Sequence, residues 1–140
     1  MADIDIPSSI DGFVPSEDDI AGVHEWFARY DELAANAEVG RMADMAMFPL
    51  NAVTDDAQGN GSARQYDRER FCAEMAETVG EGASMESTRT PHFLSPSLVF
   101  VITDATVTHD GRTYQLRYAD LLVKRDGQWL FQTMVQGGWG

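Results

Sequence analysis

From Ile20 onward, apolar side chains recur at helical spacing: Ile20, Val23, Phe27, Tyr30 and Ala34 form a stripe that Trp26 and Leu33 broaden, while Glu25, Arg29 and Glu32 fall opposite. This spacing predicts a long amphipathic helix with Tyr30 on its buried side. Ser16 is its N-cap, with Asp19 three residues on, and Glu17, Asp18 and Asp19 complement the helix dipole in the first turn. A second helix, from about Val39 to Met47, offers Val39, Met42 and Ala46 to the core and must stop before Pro49. Leu50 to Thr54 then reads as a strand, the run D-D-A-Q-G-N-G as a turn, and Arg64 to Tyr66 as a polar return strand. Asp67 caps a third helix with Phe71, Met75 and Val79 on its apolar edge, and Gly80 with Gly82 ends it.

Everything after Gly82 reads as sheet. Met85 to Phe93 is a polar strand interrupted by Pro91, L-S-P-S is a turn, and Leu98 to His109 is strongly β-forming at its start. Asp110-Gly111 and Asp126-Gly127 are two-residue hairpin turns, delimiting strands at about Arg112 to Lys124 and Gln128 to Gly137. The expectation is α+β: helices first, then a four-stranded antiparallel meander, with a small hairpin between the second and third helices. The last turn pairs Arg125 with Gln128, so regular pairing sets Leu122 opposite Phe131, Asp120 opposite Thr133 and Tyr118 opposite Val135. One face then carries Tyr118, Asp120, Leu122, Trp129, Phe131, Thr133 and Val135. The other carries Arg117, Ala119, Leu121, Val123, Leu130, Gln132, Met134 and Gln136. Both are largely apolar, so one is expected under the helices and the other against a second copy of the chain or the N-terminal arm.

Composition narrows the function classes. A chain of 140 residues suits one domain, here expected over residues 16–140, with residues 1–15 as an arm pinned by Ile6, Ile10 and Phe13. The net charge of −13, without a basic cluster, argues against nucleic acid and anionic membranes as partners. Cys72 stands alone, which excludes an internal disulfide and a cysteine-rich metal site; His24, His92 and His109 lack metal-ligand spacing, and no cofactor fingerprint is present. No basic leader or long apolar span is visible, so a soluble, cytoplasmic protein without metal or cofactor is expected.

Candidate chemistry centres on Asp120, an acid inside the apolar run of Y-A-D-L-L-V-K-R-D-G-Q-W. In an apolar pocket its charged form is penalised, so it can stay a proton donor near neutrality. Beside a buried Tyr30 it could bind an enolate-like oxygen while a second carboxylate moves a proton α to a carbonyl. His92, between Pro91 and Pro96, could serve as an acid or base at a cavity rim. Each has a structural alternative: Asp120 bonded to Thr133 or Tyr118, Tyr30 as a core aromatic, Asp55 opening a turn, His92 on a sheet edge.

The element order, with L-S-P-S-L-V-F-V and K-R-D-G-Q-W late in the chain, resembles the cone-shaped α+β fold of the nuclear transport factor two-like superfamily over about residues 16 to 138. That superfamily includes ketosteroid isomerase, scytalone dehydratase, limonene epoxide hydrolase and SnoaL-type polyketide cyclases, beside members with no known activity. The resemblance implies a curved antiparallel sheet wrapped around the long first helix and two shorter ones. R-Y-D-E-L-A-A-N-A-E is similar to the ketosteroid isomerase segment carrying its oxyanion-hole tyrosine, which puts Tyr30 in that role. N-A-V-T-D-D is similar to the strand end carrying its base, which puts Asp55 there, and Asp120 falls where its protonated aspartic acid stands. Phe27, Met47, Tyr118, Phe131 and Thr133 are the expected lining of a pocket for a small apolar ligand. Two functions stay open: a cofactor-free acid/base isomerase, dehydratase or cyclase acting on an apolar carbonyl or polycyclic compound, and a non-catalytic binding or dimerisation module.

Overall fold

The computed structural model describes residues 12–79 and 84–140. The elements run α1 (Glu17–Ala35), α2 (Val39–Ala43), β1 (Ala46–Asp55), β2 (Gly61–Tyr66), α3 (Arg68–Thr78), β3 (Ser84–Ser95), β4 (Leu98–His109), β5 (Arg112–Arg125) and β6 (Gln128–Val135). The strands form one sheet in the order β2-β1-β6-β5-β4-β3, so β2 and β3 are its open edges.

Helix α1 starts where the sequence places it, because Ser16 and Asp19 each accept a hydrogen bond from the other's backbone N–H. Its inward stripe buries Val23, Phe27 and Leu33. Asp67 caps α3 by a single bond, accepting from the backbone N–H of Arg70. The predicted stop at Gly80 and Gly82, and the anchors Ile6 and Ile10 of the arm, lie outside the described residues. Phe13 packs on Phe93 with ring centroids 6.1 Å apart.

Four expectations are corrected. The second helix ends at Ala43 rather than Met47, because Ala46 already pairs with Phe131 as β1 joins the sheet. From there Ala46, Phe48 and Leu50 turn to the core and Met47 alternates away from it. The sheet is also not a four-stranded meander with a separate hairpin: β1 lies parallel to β6, which extends the meander to six strands. Pro91 does not break β3, since an edge strand can leave a missing N–H facing outward.

The fourth correction concerns register. Both Asp-Gly turns form as predicted, with positive φ at Asp110, Gly111, Asp126 and Gly127, the conformation of a two-residue hairpin turn. Arg125 pairs with Gln128 and Leu122 with Phe131, but then Leu121 pairs with Thr133 and Asp120 with Met134. A β-bulge at Gln132 inserts one residue into β6 and exchanges the faces beyond it. Met134 therefore packs toward the core, and Thr133 and Val135 fall on the outer face.

The core lies between the helices and the inner sheet face. Phe131 is 2% exposed and meets Trp26, Tyr30 and Phe71 at ring-centroid distances of 5.8, 5.3 and 5.6 Å. Leu50, Val99, Val101 and Leu122 fill the space around it.

Candidate functional site

Two inward rows of side chains cross the sheet beneath α1. Cross-strand pairing aligns Pro91, Val101, Asp120, Met134 and Ala52 in one row, and Arg89, Thr103 and Tyr118 in the next. Asp120 is thus flanked within its row by Val101 and Met134. Neither neighbour can solvate a carboxylate, and desolvation lifts its pKa from 3.8 to about 7, against the pull of the Arg89 charge and with a smaller push from Asp31.

From the helix side come Tyr30 and Asp31. Tyr30, four residues after Trp26, stacks on its indole with centroids 5.4 Å apart and planes 6° from parallel. The indole N–H donates to the Trp129 carbonyl at 2.9 Å, which fixes that platform. Burial pushes the Tyr30 phenol above its ordinary pKa, and the neighbouring acidic groups of Asp120, Tyr118 and Asp31 add to the effect against the pull of Arg89. Among the described residues, no side-chain hydrogen bond reaches the Asp120 carboxyl or the Tyr30 hydroxyl from another residue. Both residues are part-buried, so each retains some contact with solvent.

A buried cation borders this pair. The Arg89 side chain is 8% exposed and lies over the Phe27 ring, 4.3 Å from its centroid. Its Nη1 and Nη2 donate to the two carboxylate oxygens of Asp31, the second at 3.0 Å, and Nη2 also donates to Tyr118 Oη at 3.2 Å. Nε donates to Thr103 Oγ1 at 3.3 Å. Burial opposes the Arg89 charge, but the bonds from Asp31 outweigh it and raise its pKa.

Tyr30, Asp120 and Tyr118, with Phe27 beneath Arg89 and Phe131 under Tyr30, are brought together around this centre. The other candidates are not. Asp55 is exposed at the end of β1, where its Oδ1 accepts from Gly138 N–H at 2.7 Å and its carbonyl from Gly140 N–H at 2.9 Å. It anchors the C-terminal residues. His92 pairs across the sheet with Phe100 and is exposed on the outer face, since Pro91 and Phe93 take the inward positions. Thr133, turned outward by the bulge, donates to Gln132 Oε1 at 2.7 Å, and Met47 alternates away from the core. Arg89 and Asp31 were not singled out from the sequence, although Asp31 follows Tyr30 and is four residues beyond Phe27 on the same helical face. Among the described residues no group of three His, Cys, Asp or Glu side chains could hold a metal ion.

A hollow of about 630 Å³ lies elsewhere, between α1, α2 and the last hairpin, with Trp26, Arg29, Arg41 and Trp129 in its walls. A second, of about 220 Å³, opens among Phe100, Ile102, Ala119 and Val135 on the outer sheet face.

No protein-family model and no curated protein matches the sequence. Solved structures do match in shape. A nuclear transport factor two-like protein of unknown function from Pseudomonas putida superposes with a TM-score of 0.69 at 12% identity, over 87% of each chain. A domain of unknown function with a cystatin-like fold from Nostoc punctiforme gives 0.66 at 14% identity, over 88% of this chain and 78% of the other. A proposed scytalone dehydratase from Novosphingobium aromaticivorans gives 0.60 at 17% identity, over 83% and 80%. At these identities the likeness establishes the nuclear transport factor two-like, cystatin-like fold. No helix among the described residues is long and apolar enough to cross a membrane.

Proposed function

We propose that the chain binds a small, mostly apolar compound bearing a carbonyl or enol oxygen, and that Asp120 and Tyr30 act on that oxygen as an acid/base pair in an isomerisation, dehydration or cyclisation. The observation that carries this reading is the Asp120 carboxyl itself, set between Val101 and Met134, without a protein hydrogen bond among the described residues and titrating at about 7. At neutral pH such a group is present in both protonation states, so it can give a proton in one step and recover it in the next. Tyr30 is a donor at every physiological pH, because burial raises its pKa further above neutrality. The proposed scytalone dehydratase of similar fold gives the same class of chemistry a precedent on this scaffold.

The competing reading is a non-catalytic binding or dimerisation module. It is favoured by the positions of Asp55 and His92, which leave the pair without a second free base. In either case we propose a homodimer formed through the outer sheet face.

A thermal-shift screen against small ketones, steroids, terpenes and aromatic polyketides separates these readings, with turnover of each hit followed by absorbance. The acid/base reading expects Asp120→Asn to keep most of the binding and lose at least a hundredfold in turnover, the low end of what a positioned acid or base contributes. A ligand bound equally well by both proteins and turned over by neither defeats it.

A further inference from the structure

The Arg89 guanidinium determines what the Tyr118 hydroxyl can do. Arginine has only donors, so in the 3.2 Å contact the phenol oxygen must accept. Its own O–H is then left to donate elsewhere. Among the described residues that O–H has no protein acceptor, and Tyr118 lies two residues before Asp120 on the same face of β5. Arg89 cannot swing away to release it, because Asp31 holds the guanidinium by two nitrogens, Thr103 accepts from Nε, and the Phe27 ring lies 4.3 Å below. Tyr118 is part-buried rather than sealed, as are Tyr30 and Asp120. A molecule meeting all three therefore meets hydroxyl or carboxyl donors without a competing protein acceptor paired to them.

We propose that Tyr118 is a third ligand-contacting hydrogen-bond donor of this site, that the Asp31–Arg89 ion pair is a positioning device fixing its polarity, and that the site selects compounds whose oxygen is an acceptor, as in phenols and enols, over hydrocarbons of the same shape. This rests on the reading of Asp120 and Tyr30 given above and adds a ligand class and two positioning residues to it. Tyr118 touches the ligand; Asp31 and Arg89 act through it.

The test compares binding of 2-naphthol, followed by its fluorescence, with binding of naphthalene, which has the same ring system and no oxygen, at pH 6. Wild type should prefer 2-naphthol. Tyr118→Phe, which keeps the ring against Arg89, should lower that preference about fivefold, the effect of one hydrogen bond. Asp31→Asn should lower it similarly but add nothing further in the Tyr118→Phe background, whereas Asp31→Glu should restore much of it. A merely structural role for Asp31 would weaken both ligands together and add to the Tyr118 effect. Unchanged preference in Tyr118→Phe, with a loss in Tyr30→Phe, overturns this inference and leaves the acid/base reading standing. Equal preference in all variants, or no 2-naphthol binding by the wild type, overturns both.

Discussion

Asp120 links site chemistry to stability with a definite sign. Its pKa is about 7 in the folded chain against 3.8 when solvated, so the folded state binds the proton more tightly. The group therefore adds to stability while protonated, and this is lost as pH rises from about 4 through 7. Asparagine has no charged form to bury. Asp120→Asn should accordingly gain on the wild type by about 1–2 kcal/mol between pH 5 and pH 8, a value discounted because the carboxyl keeps some contact with solvent. Urea melts of both proteins at the two pH values measure this; a difference that does not change with pH would mean the carboxyl is solvated. Asp120 was legible because an acid in an otherwise apolar strand is out of pattern. Arg89 was not, since it lies in a polar edge strand whose inward face depends on pairing with β4 through a turn of unreadable register. The sequence shows that Arg89 alternates with Pro91 and Phe93, but not that its row ends at Tyr118.

The largest difference at the level of elements is the bulge in β6. Period-two alternation carries the hairpin register outward from Asp126-Gly127 without error as far as Phe131, and one extra residue then exchanges the faces of Thr133 and Met134. Nothing in Q-T-M-V announces it, because polar and apolar residues there suit either face. Its cause is tertiary: Met134 joins the core and Asn51 of β1 pairs with Thr133, neither of which local sequence encodes. Deleting Gln132, the unpaired residue, should leave Leu121 opposite Thr133 and Asp120 opposite Met134 in a regular ladder, keep Met134 in the core and cost less than about 1 kcal/mol in chemical denaturation. A larger loss would show that the bulge itself is needed to join β6 to β1. Helix α1 is the opposite case, because its start is written in four residues. Ser16→Ala removes one half of the capping box and should cost about 1 kcal/mol by the same measurement. No loss would mean that packing alone sets where the helix begins.

For the whole molecule, the decisive surface is the outer sheet face. Phe100, Ile102, Ala119, Leu121, Val123 and Val135 lie there, on strands whose other face is already under the helices. The described helices supply no second layer, and a contiguous apolar sheet face of this kind favours a self-complementary contact with another copy. Charge opposes it: each chain carries −13, so two copies repel at long range, and screening by salt weakens that repulsion more than it weakens apolar contact. The proposed dimer should therefore tighten as salt rises, opposite to a contact held by ion pairs. Light scattering coupled to gel filtration should find twice the 15.5 kDa chain mass at micromolar concentration, with dissociation favoured at low salt. Leu121→Glu should place a buried charge at the contact and give a folded monomer with unchanged far-ultraviolet circular dichroism. Monomer mass for the wild type at high salt and high concentration would leave this face without a second copy.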